Sequence, residues 1–71
     1  MEEQVQNVYN SKVEQAVYCF KEGKMISASH LYGEIRGITG TAKTVGLELD
    51  HTVYETNNEI FLEIHNLIRA E

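Results

Sequence analysis

The chain has 71 residues, of which 42% are hydrophobic and 24% are charged, and its formal net charge is −5. This length gives a single domain, residues 1–71, and excludes large enzyme folds such as the Rossmann sheet and the TIM barrel. A domain of this size buries only about 60% of the surface of its unfolded chain, so its core is marginal. The sequence has one cysteine and no zinc-binding cluster. Since neither a disulfide nor a metal reinforces the core, we expect homo-oligomerisation to do so.

The negative charge is confined to the C-terminal third of the sequence. Residues 1–47 contain five acidic and five basic side chains, whereas residues 48–71 contain six acidic ones and only Arg69. A nucleic-acid-binding surface needs several cations on one face, so this balance argues against nucleic acid as a partner.

No stretch approaches the ~20 apolar residues of a membrane span, and the acidic start Met-Glu-Glu-Gln is unlike a signal peptide. We therefore expect a cytoplasmic protein that does not bind membranes.

Residues 2–22 form the first predicted helix. Acidic Glu2 and Glu3 suit the positive end of the helix dipole, Lys21 suits the negative end, and Gly23 suits the position that follows the C-cap. The apolar residues return to one face of a 3.6-residue helix, and they are Val5, Val8, Tyr9, Val13, Ala16, Val17 and Phe20.

Residues 27–49 carry an apolar seam with alternating spacings of three and four residues. This pattern predicts helical structure. The glycines in the segment oppose it, because each costs a helix about 0.5–1 kcal/mol relative to alanine. Two interpretations remain open: one long helix whose small residues make close backbone contacts, or two helices broken near residues 37–40. The seam comprises Ala28, Leu31, Ile35, Ile38, Ala42, Val45 and Leu49, and the glycines are Gly33, Gly37, Gly40 and Gly46.

The C-terminal segment begins with helix start signals and predicts one further helix. Asp50 is a candidate N-cap, and Thr52 and Glu55 have the spacing of a capping box. Leu62 falls off the apolar face and would be exposed in a monomer. Four-residue spacing places an acidic ridge on the outer side, consisting of Glu55, Glu59 and Glu63. The predicted fold is all-α: a small three-helix bundle, or a helical hairpin plus one helix, completed by homo-oligomerisation.

Residues 37–44, Gly-Ile-Thr-Gly-Thr-Ala-Lys-Thr, nearly match the phosphate-loop pattern G-x-x-x-x-G-K-[ST]. Ala42 replaces the glycine before the lysine, and a chain of this length lacks the parallel sheet that such a loop requires. The pattern therefore does not predict a nucleotide hydrolase. A close helix contact through small residues is the main interpretation, and anion binding by Arg36, Lys43 and the threonine hydroxyls is the other.

The same stretch resembles the core of histidine phosphotransfer domains, whose helix reads roughly H-x-x-K-G-x-A-x-x-x-G. Residues 36–47 keep the small residues of that pattern at Gly40, Ala42 and Gly46. Arg36 replaces the phosphorylated histidine and Thr39 replaces the lysine. The resemblance covers about a dozen residues and implies at most a degenerate docking relative, without phosphotransfer activity.

The titratable side chains do not form a catalytic or metal-binding pattern. No two of the histidines His30, His51 and His65 have the i, i+4 spacing that places two imidazoles on one helix face. His51 and Glu55 do have this i, i+4 spacing, and we expect them to form an ordinary surface pair. His30 and His65 are expected to face solvent or an interface. Cys19 lacks a neighbouring helix N-terminus that would activate it. We predict no enzyme activity, no metal and no cofactor.

These observations predict a non-catalytic interaction module, a homo-oligomeric regulator or inhibitor of a larger protein partner. Compact acidic proteins of this size are often regulators or inhibitors, and some of them are encoded by phages. This step is an analogy with proteins of the same size class. The acidic ridge is a candidate docking face for a basic partner. The candidate oligomer interface comprises Tyr18, Gly33, Gly37, Gly40, Ala42 and Leu62.

The alternative function is sequestration of a phosphorylated small molecule or nucleotide between subunits. In this hypothesis the cations and threonine hydroxyls bind phosphate, and Tyr32 stacks on a base. The candidate ligand residues are Tyr32, Arg36, Thr39, Thr41, Lys43 and Thr44.

Overall fold

The structure is a computed structural model that describes residues 2–70. The described residues form helices α1 (Glu2–Lys21), α2 (Met25–Thr44), α3 (Thr52–Thr56) and α4 (Asn58–Ala70). Helices α1 and α2 form a hairpin, against which α3 and α4 pack. The predicted all-α bundle is confirmed, whereas the homo-oligomer stays a prediction. Among these helices, none has a stretch both long and apolar enough to traverse a bilayer.

Gly23 ends α1 as the sequence predicted. Its φ of +77° lies in the left-handed region, which glycine adopts without steric cost. The Lys24 N–H donates to the Cys19 carbonyl at 2.8 Å and the Gly23 N–H to the Phe20 carbonyl at 3.1 Å. These two bonds form a Schellman motif, which reverses the chain into α2.

Helix α2 is continuous through Gly33, Gly37 and Gly40, which decides between the two open interpretations. A Cβ atom added at any of these glycines would meet nothing within 4 Å. The close helix contact predicted at the glycines is therefore wrong within one chain, and a contact between chains stays a prediction. Helix α2 ends before the seam does, because Gly46 has a φ of +75° and closes a second Schellman motif.

Two glycine substitutions in this region should change stability in opposite directions. We expect Gly46→Ala to destabilise the protein by about 1 kcal/mol, because alanine is strained at positive φ. Gly37→Ala should stabilise it by about 0.5–1 kcal/mol, because alanine favours helix and the space is open. Urea unfolding of both variants at low protein concentration measures the free energies. A loss of stability in Gly37→Ala would show that its side-chain space is occupied.

The predicted C-terminal helix is divided at Asn57, and the expectation of a single helix there is wrong. The Asn57 side-chain amide donates to the Val53 carbonyl at 2.9 Å. Its own N–H bonds to the Tyr54 carbonyl at 3.0 Å, three residues back. A side chain that bonds the local backbone in this way competes with regular helix. The short α3 therefore stops at Thr56, and α4 begins at Asn58.

The start of α3 differs from the predicted capping box. The Asp50 carboxylate accepts the Thr52 N–H at 2.8 Å and also accepts the Thr52 hydroxyl. These hydrogen bonds lower the pKa of Asp50. Because the Thr52 hydroxyl is directed to Asp50, the reciprocal pair with Glu55 does not form, and His51 occupies the N-cap position.

The core is formed by α1, α2 and α4, and aromatic stacking connects α4 to its neighbours. Phe61 stacks on Tyr54 with ring centroids 4.4 Å apart, and on Tyr32 at 6.2 Å. The buried apolar residues are Tyr9, Val13, Ala16, Ala28, Tyr32, Ile35, Ala42, Phe61 and Ile64.

Candidate functional site

Two tyrosine–histidine pairs attach the C-terminal part of the chain to the hairpin. The buried Tyr9 hydroxyl hydrogen-bonds the Nδ1 atom of His51 at 2.7 Å, and the Tyr32 hydroxyl bonds Nδ1 of His65 at 3.0 Å. The predicted pair of His51 with Glu55 is thus replaced by a pair with Tyr9. His65, expected to face solvent or an interface, is half-buried. The partners are 42 and 33 residues apart in sequence, so no local pattern signals them.

The environment of Tyr9 raises the pKa of its hydroxyl to about 12, from an ordinary value of 10.0. Burial is the largest cause, followed by negative charge from Tyr54, Glu55 and Asp50. Burial likewise raises the pKa of Tyr54. In the unfolded chain both phenols ionise at lower pH than in the folded protein, so alkaline pH favours unfolding.

Stability should therefore decline above about pH 10. The contribution of Tyr9 is complete below the unfolded pKa and is lost as pH rises through the folded value near 12. We expect the free energy of unfolding, measured by urea titration between pH 8 and about 12, to fall by up to ~1.4 kcal/mol per pH unit per phenol. Tyr9→Phe should be less stable at pH 8 but lose less stability above pH 10. If the free energy of unfolding of Tyr9→Phe falls above pH 10 as steeply as that of the unsubstituted protein, Tyr9 is not the group responsible.

A basic cleft lies between the C-terminal half of α2 and the loop that follows it. It is open, has a volume of about 740 Å³, and brings together Arg36, Thr39 and Lys43 from the predicted ligand set. The loop contributes Glu48 and His51 to the opposite wall. The Thr39 hydroxyl donates to the Arg36 carbonyl at 3.0 Å, so its proton is not directed to a ligand.

The other predicted ligand residues lie elsewhere. Thr41 lines a separate groove, and the Thr44 hydroxyl donates to the Gly40 carbonyl at 3.0 Å. Tyr32 is buried, with its ring against Phe61 and its hydroxyl on His65. Stacking of Tyr32 on a nucleotide base would require the ring to leave the core.

An apolar surface lies at the end of the bundle where the hairpin turns. Two adjoining depressions, of about 450 and 420 Å³, share Met25 and Leu67. Ile26 is 79% exposed, Leu67 48% and Ile68 41%. We call this region the end surface, defined by Phe20, Met25, Ile26, Leu67 and Ile68. Sequence reasoning missed it because its members come from three helices.

The predicted interface residues divide into exposed and buried positions. Tyr18 and Leu62 are 60% and 53% exposed, as expected. The glycines Gly33, Gly37 and Gly40 are exposed on α2. Ala42 is buried, with 4% exposure, so it does not offer a surface to another chain.

An apolar groove of about 550 Å³ follows α2 on the side of Gly37 and Thr41. Val5, Ile38 and Val45 contribute to it, and the missing side chain of Gly37 helps to leave it open. It lies at the opposite end of the hairpin from the end surface. The groove is therefore a second apolar region that the fold leaves uncovered.

The acidic ridge is fully on the outside of the bundle. Glu55 lies in α3, whereas Glu59 and Glu63 lie in α4, and all three are exposed. Among residues 2–70, no three His, Cys, Asp or Glu side chains lie close enough to hold a metal ion. Cys19 is half-buried and packs against the core.

No protein-family model, curated protein sequence or solved structure matches this chain. The likeness to histidine phosphotransfer domains therefore remains a resemblance over about a dozen residues. In the structure Arg36, at the position of their phosphorylated histidine, is exposed and lines the basic cleft.

Proposed function

We propose that this chain is a non-catalytic, cytoplasmic protein-interaction module that self-associates through the end surface and regulates a larger protein partner. The end surface is the observation that supports the proposal. Its large apolar side chains are substantially exposed in a protein whose small size limits the core. Contiguous exposed apolar patches of this kind are typical of protein contact sites.

The charges around the end surface favour a second copy of the chain as its occupant. Three basic residues lie close to it in sequence, Lys21, Lys24 and Arg69, together with the acidic Glu22, Glu63 and Glu71. This mixture contrasts with the net negative charge of the molecule as a whole. Two copies that meet here bring together charges of both signs, and a two-fold contact can place acidic groups opposite basic ones.

The acidic ridge is the proposed contact for the larger partner. Its three carboxylates are exposed: Glu59 and Glu63 lie one helical turn apart in α4, and Glu55 lies in α3. A dense negative face accelerates encounter with a basic surface and makes association sensitive to salt. Glu63 also lines one depression of the end surface, so the ridge adjoins that surface, whereas Glu55 and Glu59 do not line it.

Light scattering coupled to size exclusion tests the self-association. The chain has a mass of 8.1 kDa, and we expect the measured mass to be at least twice this value at micromolar concentrations. The mass should persist at high salt, because apolar burial dominates the contact. A folded species that keeps the monomer mass throughout the concentration series would overturn the proposal.

A further inference from the structure

The basic cleft carries two cations that the fold itself does not use. Arg36 and Lys43 lie seven residues apart, about 10 Å along α2, and both line the cleft. Within residues 2–70 neither has a carboxylate within 4.0 Å, since the ion pair found there joins Lys12 and Glu34. Both cations are exposed, so their full hydrogen-bonding capacity remains available.

The surroundings of these cations leave room for an anion between them. The Arg36 guanidinium carbon lies 5.9 Å from the centre of the Tyr32 ring, a cation–π arrangement that anchors the side chain while its N–H groups stay free. Gly40 lies between Arg36 and Lys43 on the same face. A Cβ atom at Gly40 would meet nothing within 4 Å, so a ligand can approach the helix backbone there.

The opposite wall adds one donor and one opposing charge. The Nδ1 atom of His51 is engaged by Tyr9 at 2.7 Å. With the Tyr9 hydroxyl donating, the neutral imidazole carries its proton on Nε2 and can donate to a ligand. Glu48 lines the same cleft, and its carboxylate opposes an anion.

We propose that the basic cleft binds a small molecule with two or more phosphate groups, held by Arg36 and Lys43 with His51 as a further donor. The volume of about 740 Å³ falls within the roughly 300–1,000 Å³ of small-molecule sites. The spacing of the cations selects a polyphosphate over a single phosphate. Apart from the small imidazole of His51, none of the described residues that line the cleft is aromatic. Recognition therefore depends on phosphate charge and not on a stacked base.

Tripolyphosphate titration of the full chain, followed by amide chemical shifts in ¹⁵N-labelled protein, tests this site. We expect saturable shifts at Arg36, Gly40, Lys43 and His51, and weaker binding of orthophosphate. Arg36→Gln and Lys43→Gln should each weaken tripolyphosphate binding at least about tenfold, because each removes a charge-assisted contact.

Two matched variants separate a built site from general charge attraction. Glu48→Gln should tighten binding, since it removes the opposing carboxylate from the cleft. Lys24→Gln makes the same change in net charge as Lys43→Gln but lies at the hairpin turn, and it should leave the affinity unchanged. Equal weakening by Lys24→Gln and Lys43→Gln, or shifts spread over all lysines, would overturn the proposal. Light scattering on the same samples reports self-association independently.

Discussion

Phe61→Ala should unfold the protein at ambient temperature. Phe61 is buried, and its ring joins α4 to Tyr54 of α3 and Tyr32 of α2. Truncation of a buried phenylalanine costs about 3–5 kcal/mol, and a core of this size rarely supplies more than about 3–5 kcal/mol in total. The helices also depend on this packing, because short helices are marginal when isolated. We expect the far-ultraviolet circular dichroism of the variant to show a large loss of helix.

The neighbouring residue provides the control. Leu62→Ala removes a similar apolar volume from a side chain that is half exposed, so its effect on monomer stability should stay within about 0.5 kcal/mol. Thermal and urea unfolding compare the two variants at the same concentration. A folded Phe61→Ala protein with stability near that of Leu62→Ala would show that α4 is not part of the core.

Ile26→Glu should dissociate the proposed oligomer without disturbing the fold. Ile26 is the most exposed large apolar side chain of the end surface. Burial of such a side chain contributes about 1.5–3 kcal/mol, and a two-fold contact buries Ile26 of both copies. The dissociation constant should therefore rise at least ~100-fold. The first turn of α2 lacks an acidic residue, and glutamate there suits the helix dipole. Sedimentation velocity measures the change.

Val8→Glu is the matched control for this experiment. It adds the same charge to an exposed valine of α1, twelve residues before Phe20 and thus about 18 Å away along the helix. We expect the oligomer to persist in this variant. If Val8→Glu dissociates it and Ile26→Glu does not, the interface is on α1 and the end surface is assigned wrongly.

Local signals in the sequence predicted most of the helical structure. The apolar periodicity of residues 2–22 and the left-handed preference of Gly23 set the first helix to within a residue of its end. The alternating seam also indicated helix in residues 27–49, and Gly46 supplied the stop that the periodicity alone missed. These features depend on residues within one or two turns of each other, which is why the sequence reveals them.

The candidate site could be predicted only in part. Arg36, Thr39 and Lys43 share one face of α2 by spacing, so their common cleft follows from helix geometry. The contribution of Glu48 and His51 to the cleft does not follow from helix geometry, because it depends on how the chain turns after Gly46. The end surface needs the relative placement of α1, α2 and α4, which helical periodicity does not encode.

The sequence by itself determined an all-helical chain, a hairpin turn at Gly23 and a charge concentrated after residue 47. Only the tertiary structure decided that α2 crosses its glycines without a break, and that Asn57 divides the last helix. It also paired two histidines, His51 and His65, with buried tyrosines. The physical reason is the distance along the chain over which each kind of interaction acts. Helix propensity and capping act over a few residues, whereas the hydroxyl of a buried tyrosine hydrogen-bonds a group that the packing of distant segments brings to it.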